Sequence, residues 1–437
     1  MRAPAPWQDA PIEIISALRH PISIAAYLNA LVQLEAPLET DAGPALASAA
    51  VFAARAPWPP PPLLQLVHDL GPPAGTEWRA VRSSAVLLIR RLWREAHGLG
   101  DAQPAAWTRV TAAVHDRADE PHASGRDAID GALNRPSMRA LDACIALAVQ
   151  QVRVGQPIPP AFLDLLDETL ELDGPDGLHA RAVIAQRLGW LHDAAPHWFA
   201  SRQERLIGSA AQDDLGQQTW DLYIAWGSHS AHLLEAFPDR YLDALARQQQ
   251  AALPRILTGI LWGVASWADV PQTVQRLADI DPQWVSRGAE ELGHSLQTSH
   301  DPPSLPVNAW RYWQAALAAT LPSGAFPGFG WYAQITLLDQ DDWLTMTEQT
   351  LARSGGGLDW ADSVARRAAK STHDPRALRI ITALLRHPAD PWDILMLVEV
   401  GHDLLVDSAG PLQGHPARSA LRTVLVERGD YRARDAP

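Results

Sequence analysis

The chain of 437 residues has a single cysteine, Cys144, and a single lysine, Lys370. One thiol excludes an intrachain disulfide, so the fold needs no oxidising compartment. Cys144 shares an apolar helical face with Ala140, Ile145 and Leu147, where a free thiol packs as a small hydrophobe. Basic charge is carried almost wholly by arginine, which together with abundant Ala, Pro and Trp reads as a high-GC genome. Uninterrupted apolar runs of about eighteen residues, the length of a membrane-spanning helix, are absent. The opening MRAPAPWQDAP lacks the apolar stretch of a signal peptide, so a cytoplasmic location is expected. Strand signals are scarce, with no long β-branched alternation and no Asn-Gly hairpin. Catalytic signatures are missing too. Ser354-Gly355-Gly356-Gly357 has no Lys-Ser/Thr after it, and neither G-x-S-x-G nor H-E-x-x-H occurs. A net charge of −14 disfavours a general nucleic-acid binder, which needs a basic face to displace counterions.

What the chain does have is helical periodicity, punctuated by proline. Leu133-Asn-Arg-Pro136 precedes SMRALDACIAL, and Leu18-Arg-His-Pro21 precedes ISIAAYLNAL. Leu385-Arg-His-Pro388 and Leu412-Gln-Gly-His-Pro416 repeat the phrase, the last with one added residue. Proline suits the first turn of a helix, where its missing N–H is no loss, so each phrase predicts one helix ending and another beginning. Apolar residues at i, i+3, i+4 and i+7 recur in SSAVLLIRRLWREA and HARAVIAQRLGWL. Arginines early in helices after a Pro or Asp turn (Arg139, Arg181, Arg376 and Arg418) add a HEAT-like flavour. The expected fold is all-α, an irregular HEAT-like solenoid of paired antiparallel helices. Three segments are expected: an N-terminal helical segment over 1–130, a HEAT-like array over 131–299 and a C-terminal array over 308–437. The proline-rich stretch near 299–307 marks the boundary between the arrays.

Several residue groups invite a chemical reading, and each has a plainer one. His402-Asp403 is one of six His-Asp dipeptides, the pair used by helical metal phosphohydrolases, but Asp407 and Asp430 are poorly placed as a last ligand. His229 and His232, three apart, lack an evident third ligand other than Glu235. Asp339, Asp341 and Asp342 beside Trp343 resemble a magnesium–diphosphate motif, yet an acidic first helical turn explains them more simply. No metal, cofactor or catalytic residue is therefore assigned. The compositional oddity is tryptophan, eighteen residues against six tyrosines and six phenylalanines. Trp190, Trp220, Trp226, Trp262, Trp310 and Trp313 lie in amphipathic runs and are expected mostly in the core. Trp58, Trp331 and Trp343 sit in or next to turns and are the candidate exposed partner contacts.

The phrases ALNRPSMRALDACIALA and HARAVIAQRLGWLHDAAPHWF resemble the helical C-terminal arrays of large bacterial antiphage-type proteins, as do RHPISIAAYLNALVQLE and NAWRYWQAAL. Those proteins carry an NTPase, nuclease or sirtuin-like effector upstream. The resemblance implies a sensor or scaffold half, whose effector lies on another polypeptide or was lost. The expected function is a non-catalytic protein-interaction scaffold or sensor subunit of a bacterial defence or regulatory complex, with a protein partner and no membrane partner. The alternative is a helical-toroid enzyme acting on carbohydrate or isoprenoid substrates, built on Asp339, Asp341 and Asp342.

Overall fold

The computed structural model describes residues 103–115, 131–132, 135–208, 214–298, 304–388, 390 and 392–436; Pro21 and Trp58 lie outside them. Among the described residues every regular element is helical. Proline sets the rhythm. Pro136, Pro160, Pro196, Pro238, Pro282, Pro375 and Pro416 each stand first in a helix. Pro388 departs from this pattern, because the helix before it ends at Arg386 and the next begins at Asp393. Among the described residues no helix is long and apolar enough to cross a membrane.

The chain divides into two units, Met1–Ser228 and His229–Pro437. The helix that begins at Ser304 packs on three helices that precede residue 299.

In the first unit, α1 (Gln103–His115) packs on α2 (Pro136–Arg153), whose Leu141, Cys144, Ile145 and Leu147 are fully buried. Burial pushes the Cys144 thiol far above its ordinary range, so it stays protonated and inert. Then come α3 (Pro160–Leu170) and α4 (Gly174–Ala185), followed by the short α5 (Leu188–Ala194), α6 (Pro196–Ser201) and α7 (Gln203–Ile207). Both α4 and α7 pack on α8 (Asp214–Trp226). Asp167 of α3 gathers Arg202 Nε at 2.9 Å, Arg202 Nη2 at 2.7 Å and the Trp198 indole N–H at 3.0 Å.

The second unit opens with α9 (Ala231–Ala236), α10 (Pro238–Ala246) and α11 (Ala252–Trp262). These lead into α12 (Val270–Ile280), α13 (Pro282–Thr298) and α14 (Ser304–Ala318). A 3-10 segment, Pro327–Gln334, precedes α15 (Gln340–Ser354), α16 (Ala361–Ala369) and α17 (Pro375–Arg386). The last helices are α18 (Asp393–Asp407) and α19 (Pro416–Glu427). From α15 onward helices touch their neighbour or next neighbour in the chain: α15 with α17, α16 with α17 and α18, and α17 with α18 and α19. Trp313 stacks on Phe329 at 5.8 Å, meets Tyr332 edge-on at 5.1 Å and donates its indole N–H to Thr350 Oγ1 at 2.8 Å. That geometry buries the large rings while satisfying the polar handle.

Short helices end inside this packing, and the last four carbonyls of each helix have no partner within it. Arginines of later helices fill that need. Arg181 of α4 donates to the carbonyls of Leu170 and Leu172 at 2.8 and 3.0 Å, just where α3 stops. Arg418 of α19 donates twice to Leu405 of α18, and Arg353 of α15 reaches Leu317 and Ala319 at the end of α14. The fullest case is Arg367 of α16. It donates to Tyr332, Ile335 and Leu338 carbonyls at 3.0, 2.7 and 2.7 Å, lies 4.6 Å over the Trp343 ring and reaches Gln340 Oε1. Burial lowers its pKa to about 10, with Asp339 working against the shift, so it stays charged at neutral pH.

Arg367→Ala should therefore leave several buried carbonyls unpaired and lose about 3 kcal/mol of stability by denaturant titration. Arg379→Ala, which breaks the more exposed pair with Glu348, should cost about 1 kcal/mol or less. Equal losses would contradict the anchoring role of buried arginine.

Candidate functional site: an acidic tryptophan face

The segment PGFGWYAQ (327–334) owes its path to two close backbone approaches. Gly328 packs against the Ser286 carbonyl, and its N–H donates to Ser286 Oγ at 2.7 Å. Gly330 packs against the Asp359 carbonyl, and the Asp359 N–H donates to Pro327 O at 2.9 Å. A Cβ at either glycine would overlap backbone atoms. This clamp holds the loop before α16 against the 3-10 segment and brings Trp360 onto Trp331, with ring centroids 4.4 Å apart and planes at 55°. Trp360 adopts φ 56°, a left-handed conformation that costs a bulky L-residue about 1–2 kcal/mol. It is nevertheless 44% exposed.

Carboxylates surround these rings. Glu290 lies one turn before His294 on α13, and His294 meets the Trp331 ring edge-on at 5.8 Å. Burial, then the charges of Asp359 and Glu291, raise the Glu290 carboxyl above its usual range; Arg287 and His294 partly offset this. Burial likewise raises Asp359. In the first turn of α16, Asp362 forms an exposed-side ion pair with Arg366 at 3.5 Å. Asp393 opens α18, and its carboxyl is raised by burial and then by Asp390 and Asp362. Between Asp390 and Asp393 stands Trp392, 88% exposed, with its backbone N–H on Asp390 Oδ1 at 2.9 Å. The acids and the tryptophans thus alternate across the starts of α16 and α18.

Apolar exposure continues along α18, where Leu395 and Met396 are exposed. Leu395, Val398 and Glu399 face Tyr431 across an open groove of about 660 Å³ whose floor includes Asp430. Asp430 is buried and accepts from His402 Nδ1 at 2.8 Å and Arg432 Nε at 2.7 Å; Arg432 also reaches Glu399 at 3.0 Å. Burial works against it, but these hydrogen bonds hold the Asp430 carboxyl below its usual range. His402 is thus joined to Asp430 rather than to a metal-ligand set, and no group of three or more potential metal ligands occurs among the described residues.

Of the three tryptophans expected as exposed contacts, Trp331 lies in this face, half-buried against Trp360. Trp343 needs correcting. It is only 1% exposed, because its own position on α15 faces the core, while Asp341 and Asp342 before it face solvent, and Arg367 covers its ring. Among those expected in the core, Trp220 and Trp313 are buried, Trp190 and Trp310 are half-buried, and Trp226 and Trp262 are exposed at helix ends. Trp360, Trp392, Glu290 and Asp359 were not expected. A sequence signal existed for the tryptophans: each follows one aspartate and precedes another, in Asp359-Trp360-Ala361-Asp362 and Asp390-Pro391-Trp392-Asp393.

The acidic run at 339–342 has structural duties. Asp339 caps α15 by accepting from the N–H groups of Asp341 and Asp342 at 2.8 and 3.2 Å, and Asp341 pairs with Arg376 of α17. Arg376 also holds Asp374, the cap of α17, and this hydrogen bond keeps the Asp374 carboxyl below its ordinary range. His229 faces the exposed Trp262 ring at 6.2 Å, and Glu235 accepts from the Ser266 backbone, so the three do not converge as metal ligands. No protein-family model, curated protein or solved structure matches this chain.

A carboxyl raised by folding binds its proton more tightly in the native state, so it favours folding at low pH and opposes it once ionised. Glu290→Gln should accordingly raise Tm at about pH 7, with the gain fading by about pH 3, where both states are protonated. A Tm difference independent of pH would refute an electrostatic origin for the gain. Gly330→Ala should cost about 1–3 kcal/mol by overpacking against Asp359, measured by urea denaturation, and should reduce quenching between Trp331 and Trp360.

Proposed function

We propose that the protein is a cytoplasmic protein-interaction scaffold or sensor subunit of a bacterial defence or regulatory complex, built as an irregular HEAT-like solenoid of paired antiparallel helices. The neighbour and next-neighbour packing from α15 to α19 supports the solenoid, because stacked helical pairs touch in that order. The single observation that carries the functional reading is the apolar surface at the start of α18. Trp392, Leu395 and Met396 on the helix, with Tyr431 across the groove, present large apolar side chains to solvent. Clustered exposed aromatic and aliphatic groups mark recognition sites, and Trp and Tyr are among the residues most enriched in binding hot spots. No observation favours the toroid enzyme: its acids, Asp339 and Asp341, serve as a helix cap and an ion-pair partner.

The test is capture of the tagged full chain from its source organism after mild cross-linking. A partner should be recovered in a fixed ratio, and the Trp392→Ala/Leu395→Ala/Tyr431→Ala variant should lower its recovery by about tenfold or more. A chain that is always recovered alone, or a partner indifferent to the triple variant, would end this reading.

A further inference from the structure

Resting on the scaffold reading, we propose that the face bearing Trp331, Trp360 and Trp392 takes an arginine-bearing basic segment of the partner protein. Its guanidinium groups would lie on the indole rings and pair with Glu290, Asp359, Asp362 and Asp393.

Charge complementarity chooses this occupant. Acidic groups collect around the three rings: Glu290 and Glu291 on α13, Asp359 and Asp362 at the start of α16, and Asp390 and Asp393 at the start of α18. The basic groups acting on the same acids are Arg287 and His294 beside Glu290, and Arg366 beside Asp362. Carboxylates crowded together, two of them partly buried, repel one another and lower that repulsion when a cation arrives. An apolar or acidic occupant would leave it in place. The rings select for the kind of cation, since an indole face attracts a cation through its quadrupole and a planar guanidinium can also stack on it.

The protein uses this pairing elsewhere. Arg367 lies over Trp343 at 4.6 Å, Arg287 over Trp284 at 5.1 Å and Arg353 over Phe326 at 5.3 Å. Among the described residues no arginine of the chain itself covers Trp331, Trp360 or Trp392. The left-handed backbone of Trp360 fits the same role. A glycine or asparagine would hold that turn with less strain, so an indole with an exposed face stands where a smaller residue would serve the backbone.

The experiment uses the full chain and fluorescein-labelled peptides alternating serine with arginine, lysine or glutamate, read by anisotropy at physiological ionic strength. The arginine peptide should bind, the lysine peptide more weakly, and the glutamate peptide not at all. Trp360→Asn, which tolerates the left-handed turn, should weaken arginine-peptide binding by about tenfold, and Trp360→Phe should recover most of it. Glu290→Gln/Asp359→Asn should weaken it by about tenfold as well. Asp403→Asn/Glu427→Gln, a pair outside this face, should change it less than about twofold. Equal losses from both acid pairs would overturn the proposal by reducing it to diffuse attraction to an acidic protein. Indifference to Trp360→Asn, or equal binding of the lysine peptide, would overturn it too. Partner capture separates this inference from the scaffold reading. A partner lost by the Trp392/Leu395/Tyr431 variant but fully kept by Glu290→Gln/Asp359→Asn sinks the basic-segment proposal and leaves the scaffold. Ring-dependent arginine-peptide binding with no partner captured supports the cationic site and sinks the scaffold.

Discussion

The constraint on which the rest of this structure depends is the fate of carbonyl groups at the ends of short helices. A fold made of many brief helices ends each one inside a packed array, and every ending brings acceptors that cannot be left dry. In this chain guanidinium groups from later helices meet that demand, at Leu170 and Leu172, at Tyr332, Ile335 and Leu338, and at Leu405. One arginine can hold several carbonyls at once because its donors form a fixed fork. Each such contact also fixes the spacing of two helices, so satisfying the backbone and setting the packing are one event. The Pro327–Gln334 segment shows the result most fully. Arg367 holds its far end, Asp359 and Ser286 hold its near end, and the tryptophan face is what this double restraint positions.

Much of this is legible in the sequence. Proline before an apolar-periodic run locates the starts of α2 and α19 to the residue, because a missing N–H and a fixed φ suit few other places. Arg418, early in α19, and Arg181, in the second half of α4, are carbonyl anchors in the fold. Arg367 is hidden in WADSVARRAA, where two adjacent arginines look alike. One of them faces solvent and one faces the core, and only the neighbouring helices decide which. The pairing of Glu290 with Asp359 is out of reach for the same reason, since nothing local ties α13 to the loop before α16. Trp343 misleads because a turn residue beside aspartates looks exposed, whereas the helix of α15 turns Asp341 and Asp342 to solvent and Trp343 inward.

The tryptophans therefore divide by what covers them. Trp313 and Trp343 are enclosed, one hydrogen-bonded to Thr350 and one covered by arginine, and they act as bulk. Trp360 and Trp392 stand at helix starts between aspartates and leave their rings available. The same residue type thus serves core and surface, and neighbouring acids alone do not tell the two uses apart. Asp342 precedes the buried Trp343, and the exposed Trp226 and Trp262 have no acid beside them.

The near-absence of lysine gives this chain an unusual chemical address. Lys370 is exposed at the end of α16, three residues past Arg367 and at the opposite end of the helix from Trp360. An amine-directed dye or cross-linker has that one side chain to react with, besides any free amino terminus. A single reagent thus places a probe one short helix away from the tryptophan face, with no cysteine engineering. By the same logic, a lysine mark such as acetylation has one side chain in this chain to act on, a helix's length from that surface.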